Sequence, residues 1–232
     1  MSSPARRHYL RINAALAASQ ADRDDSMEGA NAYELQLAQL TQHRLRLRQI
    51  QSNQGKAELK RQLLPEYAPY IQGVLAAGKG AQDEVLTTLM VWHIDAGEYR
   101  GALDIAAYVL EHNLPMPDRF QRTTGCLVAE EIAEAALKAQ KTGEPFDLGI
   151  LHRTALLTVD QDMPDEVRAK LHLAMGRATL AGLTEQEPGR PGQVKAGIEL
   201  LKQAIELHSA CGGKKDLEQA ERLQKKLAAT GS

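Results

Sequence analysis

Apolar residues recur along the chain at intervals of three and four, the spacing of one helical face. Arg6, Arg7, His8 and Arg11 open a first helical pattern that runs to about Gln20, and the polar run Asp22, Arg23, Asp24, Asp25 after it reads as a hinge. Residues 31 to 52 hold no Gly or Pro, and Tyr33, Leu37, Leu40, Arg44, Leu47 and Gln51 alternate at four and three. This is a coiled-coil-like seam for assembling subunits. It spans only about two heptads and Arg44 interrupts it, so the same stripe also suits the inward face of a helix packed on its own domain. Past Gly55, Leu63, Leu64, Pro65 and Pro69 are expected to bend the chain into a central domain.

Helical stripes follow in succession: Val85, Leu86, Leu89 and Trp92; Leu103, Ala107, Leu110 and Leu114; Leu127, Val128, Ile132 and Ala135; Val167, Leu171, Ala174 and Ala178. The last begins with Pro164, Asp165 and Glu166, a helix-start signature. Near the end, Val194, Ile198, Leu201 and Ile205 precede Gly212 and Gly213, then Leu217, Ala220 and Leu227, which reads as a helical hairpin with a glycine turn. Composition agrees, with 34 Ala and 32 Leu against 8 Val and 9 Ile. Helix formers dominate and strand formers are scarce. The expected class is all-α: an N-terminal coiled-coil-like segment (1–62), a central bundle or α-solenoid-like array (63–187) and a C-terminal hairpin (188–232).

The formal net charge of -2 excludes a uniformly basic nucleic-acid binder, but those three parts are not alike. Residues 1–62 balance to +4 and 188–232 to +3, while 63–125 carry -4 and 126–187 carry -5. Basic ends around an acidic middle point to DNA contact at the termini. The N-terminal candidates are Arg6, Arg7, Arg11, Arg44, Arg46, Arg48, Lys56, Lys60 and Arg61. No aromatic residues interleave with them in the manner of a base-stacking platform, so phosphate contact is the expected mode.

Catalytic signals are weak. Gly73 to Gly80 imitates a phosphate-binding loop, yet Gly80 stands where a magnesium-ligating hydroxyl is required, and a turn between helices is the better reading. Asp160 and Asp162 with Asp165 and Glu166, or Glu130 and Glu131 with Glu134, would be the carboxylates of a two-metal nuclease if they converged. As helix starts and a solvated face they have simpler roles. His93 and Asp95 lie two apart and cannot face each other on a helix, and Cys126 reads as a small core residue. Two cysteines give no disulfide framework. No apolar signal core or membrane span is expected, and no cofactor or metal.

Several strings together carry a family resemblance: Leu63-Leu64-Pro65, Gly78 to Asp83, Trp92 to Gly97, Gly101 to Ala106, and Met163 to His172. They resemble the small terminase subunits of temperate contractile-tailed phages. The resemblance implies recognition of the cohesive-end site on double-stranded phage DNA, assembly as a homo-oligomer such as a ring, and delivery of DNA to a large ATPase subunit in the host cytoplasm. The family is often labelled the terminase endonuclease subunit. No nuclease motif in the chain supports that label as its own chemistry.

Overall fold

The computed structural model describes residues 3–20, 31–117 and 122–230, and the regular elements among them are α-helices. The expected all-α class is therefore the observed one. The expected hinge at 22–25 lies outside the described residues. Two compact units, residues 1–124 and 125–232, make up the chain. The first contains α1 (Pro4–Gln20), α2 (Asn31–Arg48), α3 (Asn53–Ala77), α4 (Glu84–Asp95) and α5 (Tyr99–Glu111). The second contains α6 (Thr124–Lys141), α7 (Leu148–Leu157), α8 (Asp165–Leu180), α9 (Gln193–Leu207) and α10 (Lys214–Thr230).

Pro65 and Pro69 do not end the helix, because α3 runs through both. Each proline removes one intrahelical hydrogen bond, at a cost of about 3 kcal/mol in an isolated helix. Against this, α3 buries Leu63, Leu64, Tyr67, Tyr70, Ile71 and Val74, and a buried side chain of this size contributes about 1.5–3 kcal/mol. Packing outweighs the lost bonds. The ends are fixed locally: Ser52 Oγ accepts from Gly55 N at 3.0 Å, and Gly78 closes the helix in the left-handed region at φ 65°. Position 62 therefore lies inside a helix, whereas position 187 falls in the loop between α8 and α9.

Helix α1 packs closely along α3. Ala14 and Ala18 face inward, and Gly73 makes the approach possible: a Cβ there would lie 2.5 Å from the Arg11 carbonyl oxygen and 2.7 Å from Ala14 Cβ. Beside this crossing, α2, α3 and α4 meet around an aromatic cluster. His43 Nδ1 and the Tyr67 hydroxyl share a 2.8 Å hydrogen bond, and Tyr67 meets Trp92 edge-on at 6.2 Å.

Asp83 caps α4, accepting from Leu86 N at 2.8 Å and from the Tyr70 hydroxyl at 2.6 Å. Burial lifts its carboxyl from the ordinary 3.8 to about 6, despite those donors. In the unfolded chain it loses its proton near pH 4, so between about pH 4 and 6 the folded state holds the extra proton and stability falls as pH rises. The displacement is worth about 3 kcal/mol. Asp83→Asn keeps an acceptor for Leu86 and removes the charge. Its stability relative to the parent should improve by about 3 kcal/mol between pH 4 and pH 7 in urea unfolding, and a constant difference would contradict the burial argument.

In the second unit consecutive helices pack on one another, α7 on α8, α8 on α9 and α9 on α10. The first of these starts at Asp147, whose side chain accepts from Gly149 N at 2.8 Å. The α8–α9 crossing is close because Gly197 offers no Cβ to Leu180; one would lie 2.5 Å from its Cγ. Leu173, Leu201 and Ala204 form a buried cluster there. The expected C-terminal hairpin is α9 and α10, with Val194, Ile198 and Ala220 buried between them. Among the described residues no helix is long and apolar enough to cross a membrane.

Candidate nucleic-acid interface

The structure divides the nine N-terminal candidate cations into three tied, five exposed and one, Lys56, half-buried. Three are tied into the first unit. Arg44 donates to Glu84 Oε1 at 2.7 Å and to Thr88 Oγ1 at 2.9 Å, fastening α2 to α4. Lys60 pairs with Asp95 and lies 5.9 Å above the Trp92 ring. Arg61 reaches Glu58 at 2.6 Å and the Ala96 carbonyl at 2.8 Å. Moving any of these to a phosphate would break an existing bond.

Arg6, Arg7, Arg11, Arg46 and Arg48 are exposed, and among the described residues none forms an ion pair; Lys56 is half-buried. The Arg11 guanidinium lies 3.3 Å from His8 Nδ1. These five form two groups. The α1 arginines belong to the helix that crosses α3 at Gly73, whereas Arg46 and Arg48 end α2, just before α3 begins at Asn53. Along α3 those points are about 30 Å apart at 1.5 Å per residue. Arg11 thus lies by the Gly73 end of α3 and Arg46 and Arg48 precede its start, the two backbone points being separated by a distance comparable to one turn of duplex DNA.

The coiled-coil-like seam is placed differently from its constituents' expected partners. Tyr33, Leu40 and Leu47 are buried within the chain, together with Gln36 and His43, and Leu37 is half-buried. Arg44 finds its acid on α4 of the same chain. Large exposed apolar groups lie elsewhere: Leu35 and Leu45 on the outer face of α2, and Tyr9, Ile12 and Leu16 on the outer face of α1. Sequence reading missed both outer stripes. The i, i+3, i+7 spacing of Tyr9, Ile12 and Leu16 was the available signal on α1, whereas Leu35 and Leu45 lie ten residues apart and were masked by the longer inner stripe of α2.

Neither carboxylate group converges. Glu130 and Glu134 on α6 clasp Lys170 of α8, at 3.3 and 2.6 Å, and this pairing raises the Lys170 pKa. Glu131 is exposed beside them, and Asp160 and Asp162 are exposed in the segment before α8. Among the described residues no three His, Cys, Asp or Glu side chains are placed to hold a metal ion. Gly73 to Gly80 is the end of α3 and the turn beyond it, where Gly80 N donates to the Tyr108 hydroxyl at 2.7 Å. His93 is half-buried, and this desolvation lowers its pKa, while Cys126 is buried as a core residue.

The family model of the phage small terminase subunit matches residues 37–166. The chain is 40% identical over 222 residues to the terminase endonuclease subunit of Escherichia phage P2, spanning 96% of this chain and 85% of that protein. It is also 23% identical over 195 residues to the probable terminase endonuclease subunit of Haemophilus phage HP1 (strain HP1c1), spanning 80% and 68% respectively. No solved structure matches it. The chain belongs to the phage small terminase subunit family, which places it in viral DNA packaging.

Proposed function

We propose that this subunit recognises the cohesive-end packaging site on double-stranded phage DNA, holds it as an oligomer, and presents it in the host cytoplasm to a large ATPase subunit that cuts and translocates it. The observation that carries the reading is the set of five exposed arginines on α1 and at the end of α2, without ion pairs among the described residues, in a chain of net charge -2. Cations left unpaired on an otherwise acidic protein are available for phosphates. Charges already spent on Glu84, Asp95 and the Ala96 carbonyl hold the helices of the first unit together. The acidic middle, residues 63–187, repels DNA and suits contact with a protein partner.

Binding should show in an electrophoretic mobility shift with cohesive-end duplex, at lower protein concentration than with a shuffled duplex of equal length. A helical adaptor without DNA affinity would shift neither.

A further inference from the structure

We propose that the outer face of α1 lies in the major groove of duplex DNA and reads base edges, Asn13 pairing with an adenine while Ile12 and Leu16 meet thymine methyl groups. The inference rests on the reading that the subunit binds packaging-site DNA, and it names the residues that select the sequence. Tyr9, Ile12 and Leu16 are 64%, 42% and 52% exposed. They stand opposite the Ala14 and Ala18 face that packs on α3, so the first unit holds the helix from behind and leaves this stripe uncovered.

Charge selects the occupant. Residues 1–20 contain no Asp or Glu, and the charged side chains of α1 are Arg6, Arg7 and Arg11. A second copy of the same face would set cation against cation. At about 100° per residue, Arg6 lies about 60° round the helix from Tyr9 on one side. His8 lies about 100° round on the other, and there the Arg11 guanidinium stands 3.3 Å from its Nδ1. Cations therefore flank the apolar stripe on both sides. The major groove of DNA presents the complement of this pattern, with phosphates along both walls and thymine methyls and adenine edges on its floor, and it is wide enough to admit a helix. From Tyr9 to Leu16 is about 10 Å of helix axis, the rise of about three base pairs.

Asn13 supplies the polar contact. Its Nδ2 donates one hydrogen to the Tyr9 carbonyl at 2.9 Å, which fixes the plane of the amide. The second Nδ2 hydrogen and Oδ1 remain, the donor and acceptor that match adenine N7 and N6.

The test measures the ratio of affinities for cohesive-end and shuffled duplexes of equal length by fluorescence anisotropy, with the parent chain, Asn13→Ala, and Ile12→Ala combined with Leu16→Ala. Asn13→Ala should lower the ratio about tenfold, the loss of one bidentate base contact. Affinity for shuffled duplex and the salt slope should stay at the parent's values. The same contacts are then deleted from the DNA with the protein untouched, since 7-deazaadenine lacks N7 and uracil lacks the methyl group. A 7-deazaadenine cohesive-end duplex should bind the parent about tenfold more weakly than the natural one, and should bind Asn13→Ala no more weakly. A uracil duplex should likewise weaken the parent and spare the Ile12/Leu16 variant. Equal loss on cohesive-end and shuffled duplexes marks a structural role and overturns the proposal, as does equal sensitivity of parent and variants to the altered bases. Unchanged ratios with loss of cleavage in the presence of the large ATPase subunit assign the face to a protein partner and also overturn it. A parent that prefers cohesive-end duplex with a ratio indifferent to these changes sinks this inference alone, whereas a parent that binds neither duplex sinks the functional reading with it.

Discussion

Replacing Arg6, Arg7, Arg11, Arg46 and Arg48 together by alanine is expected to weaken binding of packaging-site duplex about 1000-fold at low salt. Each is an exposed cation, so a phosphate contact is worth somewhat under 1 kcal/mol, and five such contacts sum to about 4 kcal/mol. The salt dependence is the sharper readout. Five neutralised phosphates give log K against log[salt] a slope of about -4.5, where six of the nine sequence candidates would have given about -5. The variant should fall to near zero. All five side chains are exposed, so thermal unfolding should barely change. The companion variant, Arg44→Ala, should behave in the opposite way: it leaves Glu84 and Thr88 without their donor and lowers stability while leaving the salt slope intact. Equal slopes for parent and five-fold variant would place DNA contact elsewhere.

Gly73→Leu is expected to have the largest effect on the fold of the first unit. A glycine inside a helix costs about 1 kcal/mol relative to alanine, so helix propensity alone would reward substitution. The geometry reverses the sign, because the nearest atom a Cβ meets is the backbone oxygen of Arg11, which no side-chain rotation can move. Overpacking of this kind costs about 1–3 kcal/mol for a small insertion and more for a leucine. Helix α1 should separate from α3, carrying Arg6, Arg7 and Arg11 with it. Limited proteolysis should then cut within residues 4–20, and affinity for DNA should fall although no arginine has been changed. A parent-like digestion pattern would show that the two helices do not depend on this approach.

Helix content, the C-terminal hairpin and the turn character of Gly78 to Gly80 are legible in the sequence because they depend on local rules: periodicity, capping, and glycine at positive φ. The course of α3 is not. Pro65 and Pro69 are locally unfavourable to a helix, and only the burial of Leu63, Tyr67, Tyr70 and their neighbours decides the outcome. The candidate interface is half legible. Counting cations finds Arg6 and Arg48 as readily as Arg44 and Lys60, but which of them are spent depends on Glu84 and Asp95, 35 or more residues away in sequence. The α2 seam shows the same limit. Periodicity identifies an apolar face, and tertiary packing determines whether that face meets its own chain or another.

The most direct measurement incubates the purified subunit with cohesive-end DNA and magnesium or manganese, alone and with the large ATPase subunit. Two-metal phosphodiester hydrolysis needs carboxylates converging on cations about 4 Å apart, whereas Glu130 and Glu134 hold Lys170 and Asp160 and Asp162 are exposed. The subunit alone is expected to bind and protect the site without cutting it, and cleavage is expected to appear when the large subunit is added. Site-specific cleavage by the subunit alone, lost in Asp160→Asn with Asp162→Asn while the fold is retained, would contradict it.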